Sequence, residues 1–174
     1  KAAPAFAKPV QPTPPPTPGV QQGPQPPQVE DNGYKQEVYR WELTCFDLKS
    51  GKELWKQVAH HGNPAIKKHG QSTYACETPV TDGKRVFAYF GMTGVYCYDL
   101  DGKLLWKKDM AAFNTQNDWG TGSSPVLYKD VLYIQDDNEE NSFLIALDAA
   151  TGNEKWKINR DEKTNYSTPV IWEN

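Results

Sequence analysis

Ala146-Leu147-Asp148-Ala149-Ala150-Thr151-Gly152-Asn153-Glu154-Lys155-Trp156-Lys157 is the stretch whose reading decides the fold. A short apolar run ends on an Asp, a Gly-containing turn follows, and the return ends on Trp-Lys. An Asp side chain bonds backbone N–H groups a few residues on, and Gly accepts positive φ cheaply, so the stretch reads as a tight hairpin. The pattern occurs twice more upstream, as Cys45-Phe46-Asp47-Leu48-Lys49-Ser50-Gly51-Lys52-Glu53-Leu54-Trp55-Lys56 and as Cys97-Tyr98-Asp99-Leu100-Asp101-Gly102-Lys103-Leu104-Leu105-Trp106-Lys107. The second of these has a turn one residue shorter, and the three Trp residues stand 51 and then 50 positions apart.

A second motif recurs in phase with the first: Thr78-Pro79-Val80, Ser124-Pro125-Val126 and Thr168-Pro169-Val170, with prolines 46 and 44 apart. Between the motifs lie further short apolar runs. In the middle unit these are Tyr74 to Thr81, Arg85 to Phe90, Val95 to Leu100 and Lys103 to Lys107, separated by Asp82-Gly83, Gly91 to Gly94 and Asp101-Gly102. The next unit runs Ser124 to Tyr128, Val131 to Gln135, Phe143 to Asp148 and Glu154 to Ile158. No helical period competes. Four antiparallel strands repeated at such an interval are the signature of a propeller blade. The fold class is therefore all-β, a partial β-propeller of four-stranded antiparallel blades. The Trp ending each fourth strand is expected to pack between adjacent blades.

The pattern Ala-Leu-Asp-Ala-x-Thr-Gly-x-x-x-Trp at Ala146 to Trp156 resembles the tryptophan-docking repeat of pyrroloquinoline-quinone (PQQ)-like propellers. The resemblance covers residues 41 to 174. Such blades occur in alcohol-oxidising quinoproteins and in a propeller of the bacterial outer-membrane assembly machine that binds no quinone. The family is usually eight-bladed, which implies about three blades here: two whole, the last half of one before them and the first strand of one after. Cys45 and Cys97 depart from the pattern, standing where small or apolar residues are usual.

Residues 1 to 28 hold ten of the fourteen prolines. Such a tract favours extended polyproline II and has little apolar surface with which to offset the entropy of ordering. Residues 1–33 are expected to be a disordered proline-rich linker and 34–174 the propeller segment. Pro12-Thr13-Pro14-Pro15 matches the PxxP ligand pattern, a spacing that any proline-rich tract produces. Both ends of the chain read as cut, so it is expected to be a piece of a longer protein. The net charge of −3, with 19 basic and 22 acidic residues, argues against a nucleic-acid partner. No apolar run reaches the roughly 20 residues of a spanning helix.

Several residue groups invite a functional reading. His60, His61 and His69 share the stretch 58–73, but their spacing matches no standard metal set and a polar loop is expected. Asp136-Asp137-Asn138-Glu139-Glu140-Asn141 is rich in oxygen ligands, yet it lacks the Gly and the order of a calcium loop, and a solvated strand connection is expected. Residues Asn114 to Gly122 include Trp119, which suits either a flat ligand or an inter-blade groove. Cys45 and Cys97 occupy equivalent blade positions, too far apart to bridge, and read as small buried apolar residues.

The quinone dehydrogenases that the chain resembles use a vicinal Cys-Cys pair or other close stacking over the quinone, a calcium held by Glu and Asn, and a catalytic Asp. No vicinal cysteine pair occurs here, and Asp47, Asp99 and Asp148 all belong to the repeat. No catalytic residue, metal ligand or cofactor is assigned. The expectation is a non-catalytic binding or scaffold propeller, exported by a bacterium to the periplasm or beyond, whose partner is another protein or further blades of its own ring. The alternative is a fragment of a PQQ-dependent dehydrogenase whose active residues lie outside this chain. A sensor domain of a larger signalling protein is a third reading.

Overall fold

The computed structural model describes residues 6–9 and 37–173. Strands β1 (Phe6–Pro9), β2 (Tyr39–Phe46) and β3 (Glu53–Gly62) form a first antiparallel sheet in that order. The second sheet is β4 (Val80–Thr81), β5 (Arg85–Tyr89), β6 (Val95–Asp99) and β7 (Leu104–Lys108), and the third is β8 (Val126–Tyr128), β9 (Val131–Asp136), β10 (Phe143–Asp148) and β11 (Glu154–Asn159). Each four-stranded sheet is a simple meander, so the all-β blade architecture expected from the repeat is what forms. We call the sheets blades I, II and III.

Alternation along the strands of blade II builds two cores. Val86, Ala88, Tyr96 and Tyr98 pack with Trp41 and Leu43 of blade I. Their neighbours Phe87, Tyr89, Val95 and Cys97 pack with Leu132, Ile134, Phe143, Ile145 and Leu147 of blade III. Because side chains alternate faces with period two, a strand buried on both sides must read as a nearly continuous apolar run. That is the character of Val86 to Phe90 and of Val95 to Tyr98.

The Asp of each hairpin works on its own turn. Asp47 Oδ1 accepts from the Ser50 N–H (2.8 Å) and hydroxyl (2.6 Å). Asp99 Oδ1 accepts from the N–H groups of Asp101 and Lys103. Asp148 Oδ1 accepts from those of Ala150 and Thr151. Just before each Asp the pairing of the third and fourth strands shifts register, at Cys45/Phe46, Cys97/Tyr98 and Ala146/Leu147. A bulge twists the strand and re-aims its side chains. The residue opposite the last regular pair is the Trp: Cys45 faces Trp55, Cys97 faces Trp106 and Ala146 faces Trp156. A small residue there leaves room for the indole, which explains the two cysteines.

Three segments depart from the sequence expectation. Within the proline-rich 1–33, Phe6–Pro9 are a strand paired antiparallel to β2, from Phe6↔Glu42 to Pro9↔Tyr39. This stretch precedes the densest prolines, and Pro9 sits at its end, where a missing N–H costs least. The rest of the expected linker lies outside the described residues. The strand expected from Tyr74 shortens to Val80–Thr81. Ahead of it the Tyr74 carbonyl accepts from the Trp41 indole and the Thr78 N–H goes to Ser124, so this backbone serves neighbouring blades instead of a ladder. Thr168 to Trp172, expected to start another strand, is irregular: it has no partner strand among the described residues.

Candidate functional site at the blade joints and a buried polar cleft

The expected Trp packing is realised as a specific joint. The Trp55 indole N–H donates to the Leu100 carbonyl of blade II at 2.7 Å. The Trp106 indole repeats this with the Ala149 carbonyl of blade III at 3.1 Å. In both cases the acceptor is the residue after the turn Asp, and the ring lies over the turn Gly. A Cβ on Gly102 (φ +83°) would stand 2.7 Å from Trp55 Cδ2, and one on Gly152 (φ +73°) 2.5 Å from Trp106 Cε3. The glycines are thus required twice, for the positive φ and for the close approach of the indole.

The Ser/Thr-Pro-Val motif makes a second link. The Thr78 N–H donates to Ser124 Oγ at 2.9 Å, and the Ser124 N–H donates to Thr168 Oγ1 at 3.1 Å. Ser124 and Thr168 thus each hand a hydroxyl back to the preceding copy of the motif.

One residue before this motif, Glu77 and Ser123 point inward and are buried. Thr121 Oγ1 donates to Glu77 Oε1 at 2.6 Å, while Glu77 Oε2 and Ser123 Oγ have no hydrogen-bond partner among the described residues. Burial pushes the Glu77 carboxyl up to about 7. Ser123 helps line a narrow polar cleft with Tyr89, Thr121, Asp136, Asp137 and Tyr166. The Tyr89 hydroxyl donates to Asp136 Oδ2 at 3.1 Å, and burial raises the Asp136 carboxyl as well. Asp137, whose side chain is fully buried, accepts from Gln135 Nε2 at 2.8 Å and from Arg160 Nε at 2.7 Å. Asp137 in the cleft is paired with Arg160, whereas Asp136 in the cleft and Glu77, bonded to the lining residue Thr121, are held toward the neutral form by desolvation.

Asp136, Asp137 and Asn138 thus correct the expectation of a solvated connection: they are buried, at 7%, 4% and 1% exposure. The cause lies further along the chain, where Arg160 reaches Asp137 and Asn165 bridges it. Asn138 Oδ1 closes the turn by accepting from the Glu140 and Asn141 N–H groups.

The three histidines part company. The strand β3 runs to Gly62, so His60 and His61 are strand residues and not loop. The His60 ring lies edge-on to Trp41 at 5.2 Å, and burial holds its pKa down. His69 meets the other flagged loop instead: its N–H donates to the Trp119 carbonyl at 3.2 Å and the rings stand edge-to-face at 5.9 Å. Lys67 pairs with Asp118 beside them at 2.7 Å. Trp119 is 46% exposed. Among the described residues, no three His, Cys, Asp or Glu side chains are grouped to hold a metal. Cys45 and Cys97 are buried and form no disulfide among the described residues, and burial pushes the Cys97 thiol up to about 12. No helix among the described residues is long and apolar enough to cross a membrane.

Glu77, Tyr89 and Arg160 were not legible as site residues in the sequence. One signal existed for Glu77: it occupies the slot held by Ser123 and Ser167 in the other two copies of the motif.

Comparison with solved structures finds blades of the same kind. A quinohemoprotein alcohol dehydrogenase, ADHIIG of Pseudomonas putida HK5, shares 18% identity at a TM-score of 0.50, over 70% of this chain and 19% of its own. BamB of Moraxella catarrhalis shares 16% identity at a TM-score of 0.46, over 70% of this chain and 33% of its own. The quinohemoprotein alcohol dehydrogenase of Comamonas testosteroni shares 16% at 0.48, over 71% and 18%. The chain thus spans a third or less of each of these structures. No curated protein matches it. A family model does match, across residues 40–171, which takes in blades II and III, nearly all of β2 and β3 of blade I, and both joints. The chain belongs to the PQQ-like β-propeller family described as outer membrane protein assembly factor BamB.

Proposed function

We propose that this chain is a non-catalytic propeller module that binds another protein, working in the periplasm or outside a bacterial cell. The observation that carries this reading is the last strand of each blade. These outer strands β3, β7 and β11 present aliphatic side chains to solvent: Leu54, Val58, Leu104, Leu105 and Ile158, with Leu54 at 60% and Ile158 at 57% exposure. Each is the end strand of its sheet, so its outer backbone edge is free to pair with an extended segment of a partner. Exposed aliphatic groups along an open strand edge are the marks of an interaction surface rather than of a solvated rim.

The repeat residues support the same reading. The Asp of each hairpin, the turn glycines and Trp55 and Trp106 are all engaged in turns and joints, so none is left over to act on a substrate. Titration of the chain with PQQ, with and without calcium, followed by Trp fluorescence, tests the reading. We expect no saturable change. Saturable quenching at micromolar quinone, on the order of ~8 kcal/mol of binding, would favour a quinone-binding blade of a dehydrogenase instead.

A further inference from the structure

The cleft between blades II and III gathers oxygens that can only accept. The Thr121 hydroxyl proton goes to Glu77 Oε1 and the Tyr89 hydroxyl proton to Asp136 Oδ2, so both hydroxyl oxygens keep only lone pairs. Asp136 accepts one bond on each oxygen, from Asn138 and Tyr89, and a carboxylate offers about four lone-pair sites. The strongest donors nearby are committed: Gln135 Nε2 and Arg160 both donate to Asp137. Ser123 lines the cleft at 5% exposure, and its Oγ has no hydrogen-bond partner among the described residues. Ser123 Oγ and Glu77 Oε2 are already sealed from solvent, so chain added at either end would not supply their partners.

Charge is also unanswered. Arg160 pairs with Asp137, but neither Glu77 nor Asp136 forms an ion pair among the described residues. Glu77 faces Asp136, and Asp136 faces Asp137 and, at longer range, Lys157, whose ammonium lies over the Phe143 ring at 3.8 Å. A buried carboxylate with no cation is costly, and a cation from outside would relieve that cost. The free space is about 10 Å³, that of one water-sized group. An ammonium head fits it, whereas a guanidinium or a quaternary ammonium does not. Calcium takes roughly six to eight oxygens, and among the described residues no three His, Cys, Asp or Glu side chains are grouped to hold a metal.

We propose that this cleft binds a primary ammonium group, whose N–H donors go to Ser123 Oγ, Thr121 Oγ1 and the Asp136 carboxylate, with the Glu77 charge behind Thr121. Gly91 permits the arrangement, since a Cβ there would collide with the Thr121 hydroxyl. Free amines and lysine side chains both carry such a group. The site suits a scaffold module and a dehydrogenase blade alike, and so stands apart from the function proposed above.

Isothermal titration calorimetry of the full chain tests it, at matched ionic strength in sodium chloride. The titrants are methylammonium, Nα-acetyl-lysine amide, tetramethylammonium and calcium. Saturable heat is expected from the two primary amines only. Tighter binding of the lysine derivative assigns the site to a lysine side chain, and equal or weaker binding to a free amine. The amines stay charged at both ends of the range while Glu77 titrates near 7, so affinity is expected to fall at least about tenfold from pH 8 to pH 5.5. Glu77→Gln should weaken binding by about tenfold and flatten its pH dependence. Ser123→Ala should weaken it by about fivefold. Circular dichroism reports whether each variant folds, and the titrations of the unaltered chain need neither. No saturable heat from either amine, equal binding of tetramethylammonium, calcium binding in place of the amine, or an affinity indifferent to pH would overturn the proposal.

Discussion

Trp106 and Ala149 are joined across two blades by an indole N–H that donates to a backbone carbonyl at 3.1 Å, with Gly152 beneath the ring. Two equivalent glycines with nearly the same backbone should therefore respond differently to a methyl group. Gly152→Ala places a Cβ 2.5 Å from Trp106, so it must displace the indole as well as strain a φ of +73°. Gly51→Ala, at φ +68° with nothing within 4 Å, pays only the backbone strain. We expect a loss of ~1–2 kcal/mol at Gly51 and of ~3–5 kcal/mol at Gly152, where overpacking adds. Denaturant midpoints at low protein concentration measure both.

Ser124 serves two blades, accepting from the Thr78 N–H and donating its own N–H to Thr168. Ser124→Ala removes the acceptor and should cost about 1 kcal/mol. Ser124→Thr keeps a hydroxyl in the form that Thr168 already uses, and should stay within ~0.5 kcal/mol of the parent. Urea unfolding of the pair separates the hydrogen bond from the bulk of the side chain.

Glu77 makes stability depend on pH. Its carboxyl rises from 4.5 to about 7 on folding, so the folded state prefers the protonated form. The stability this contributes is complete below about pH 4.5 and is lost as pH rises through 7. Glu77→Gln cannot ionise. The stability of the variant relative to the parent should therefore improve by ~1–3 kcal/mol between pH 5 and pH 8. Thermal melts at the two pH values give the difference, and a constant gap would show that Glu77 is ionised throughout.

Arg160 and Asp137 should prove asymmetric. The Asp137 side chain is fully buried and that of Arg160 is 30% exposed. Arg160→Met leaves a buried carboxylate without its cation and should cost ~3–5 kcal/mol. Adding Asp137→Asn removes the stranded charge, so the double variant should be the more stable of the two. A double-mutant cycle by chemical denaturation reads the coupling.

The blades were legible because their determinants are local. The Asp of each hairpin, the Gly after it and the Trp on the return lie within about a dozen residues and repeat in phase. The nearly continuous apolar run of Val86 to Phe90 marked a strand buried on both faces, and the register slot opposite Trp55 and Trp106 accounts for cysteines that looked like departures. The polar cleft was not legible because no segment owns it. Tyr89 comes from β5, Asp136 from β9, and Arg160 from beyond β11. The acidic run at Asp136 reads as surface until Asn165 is laid against Asp137, 28 positions away, and short-range pattern carries no record of that cover. His60 and His61 read as loop because their sequence is polar, but pairing with Trp41 and Arg40 holds them in β3.

The joint also has a direction in time. Trp55 finds its acceptor only once Leu100 and Gly102 have been made, and Trp106 only after Ala149 and Gly152. A ribosome releases the chain from its N-terminus, so every blade emerges with its indole undocked and waits for one more to follow. Closure then advances like a zipper that trails synthesis by a single unit, and a chain stalled near residue 140 would hold Trp55 locked while Trp106 still lacked its seat.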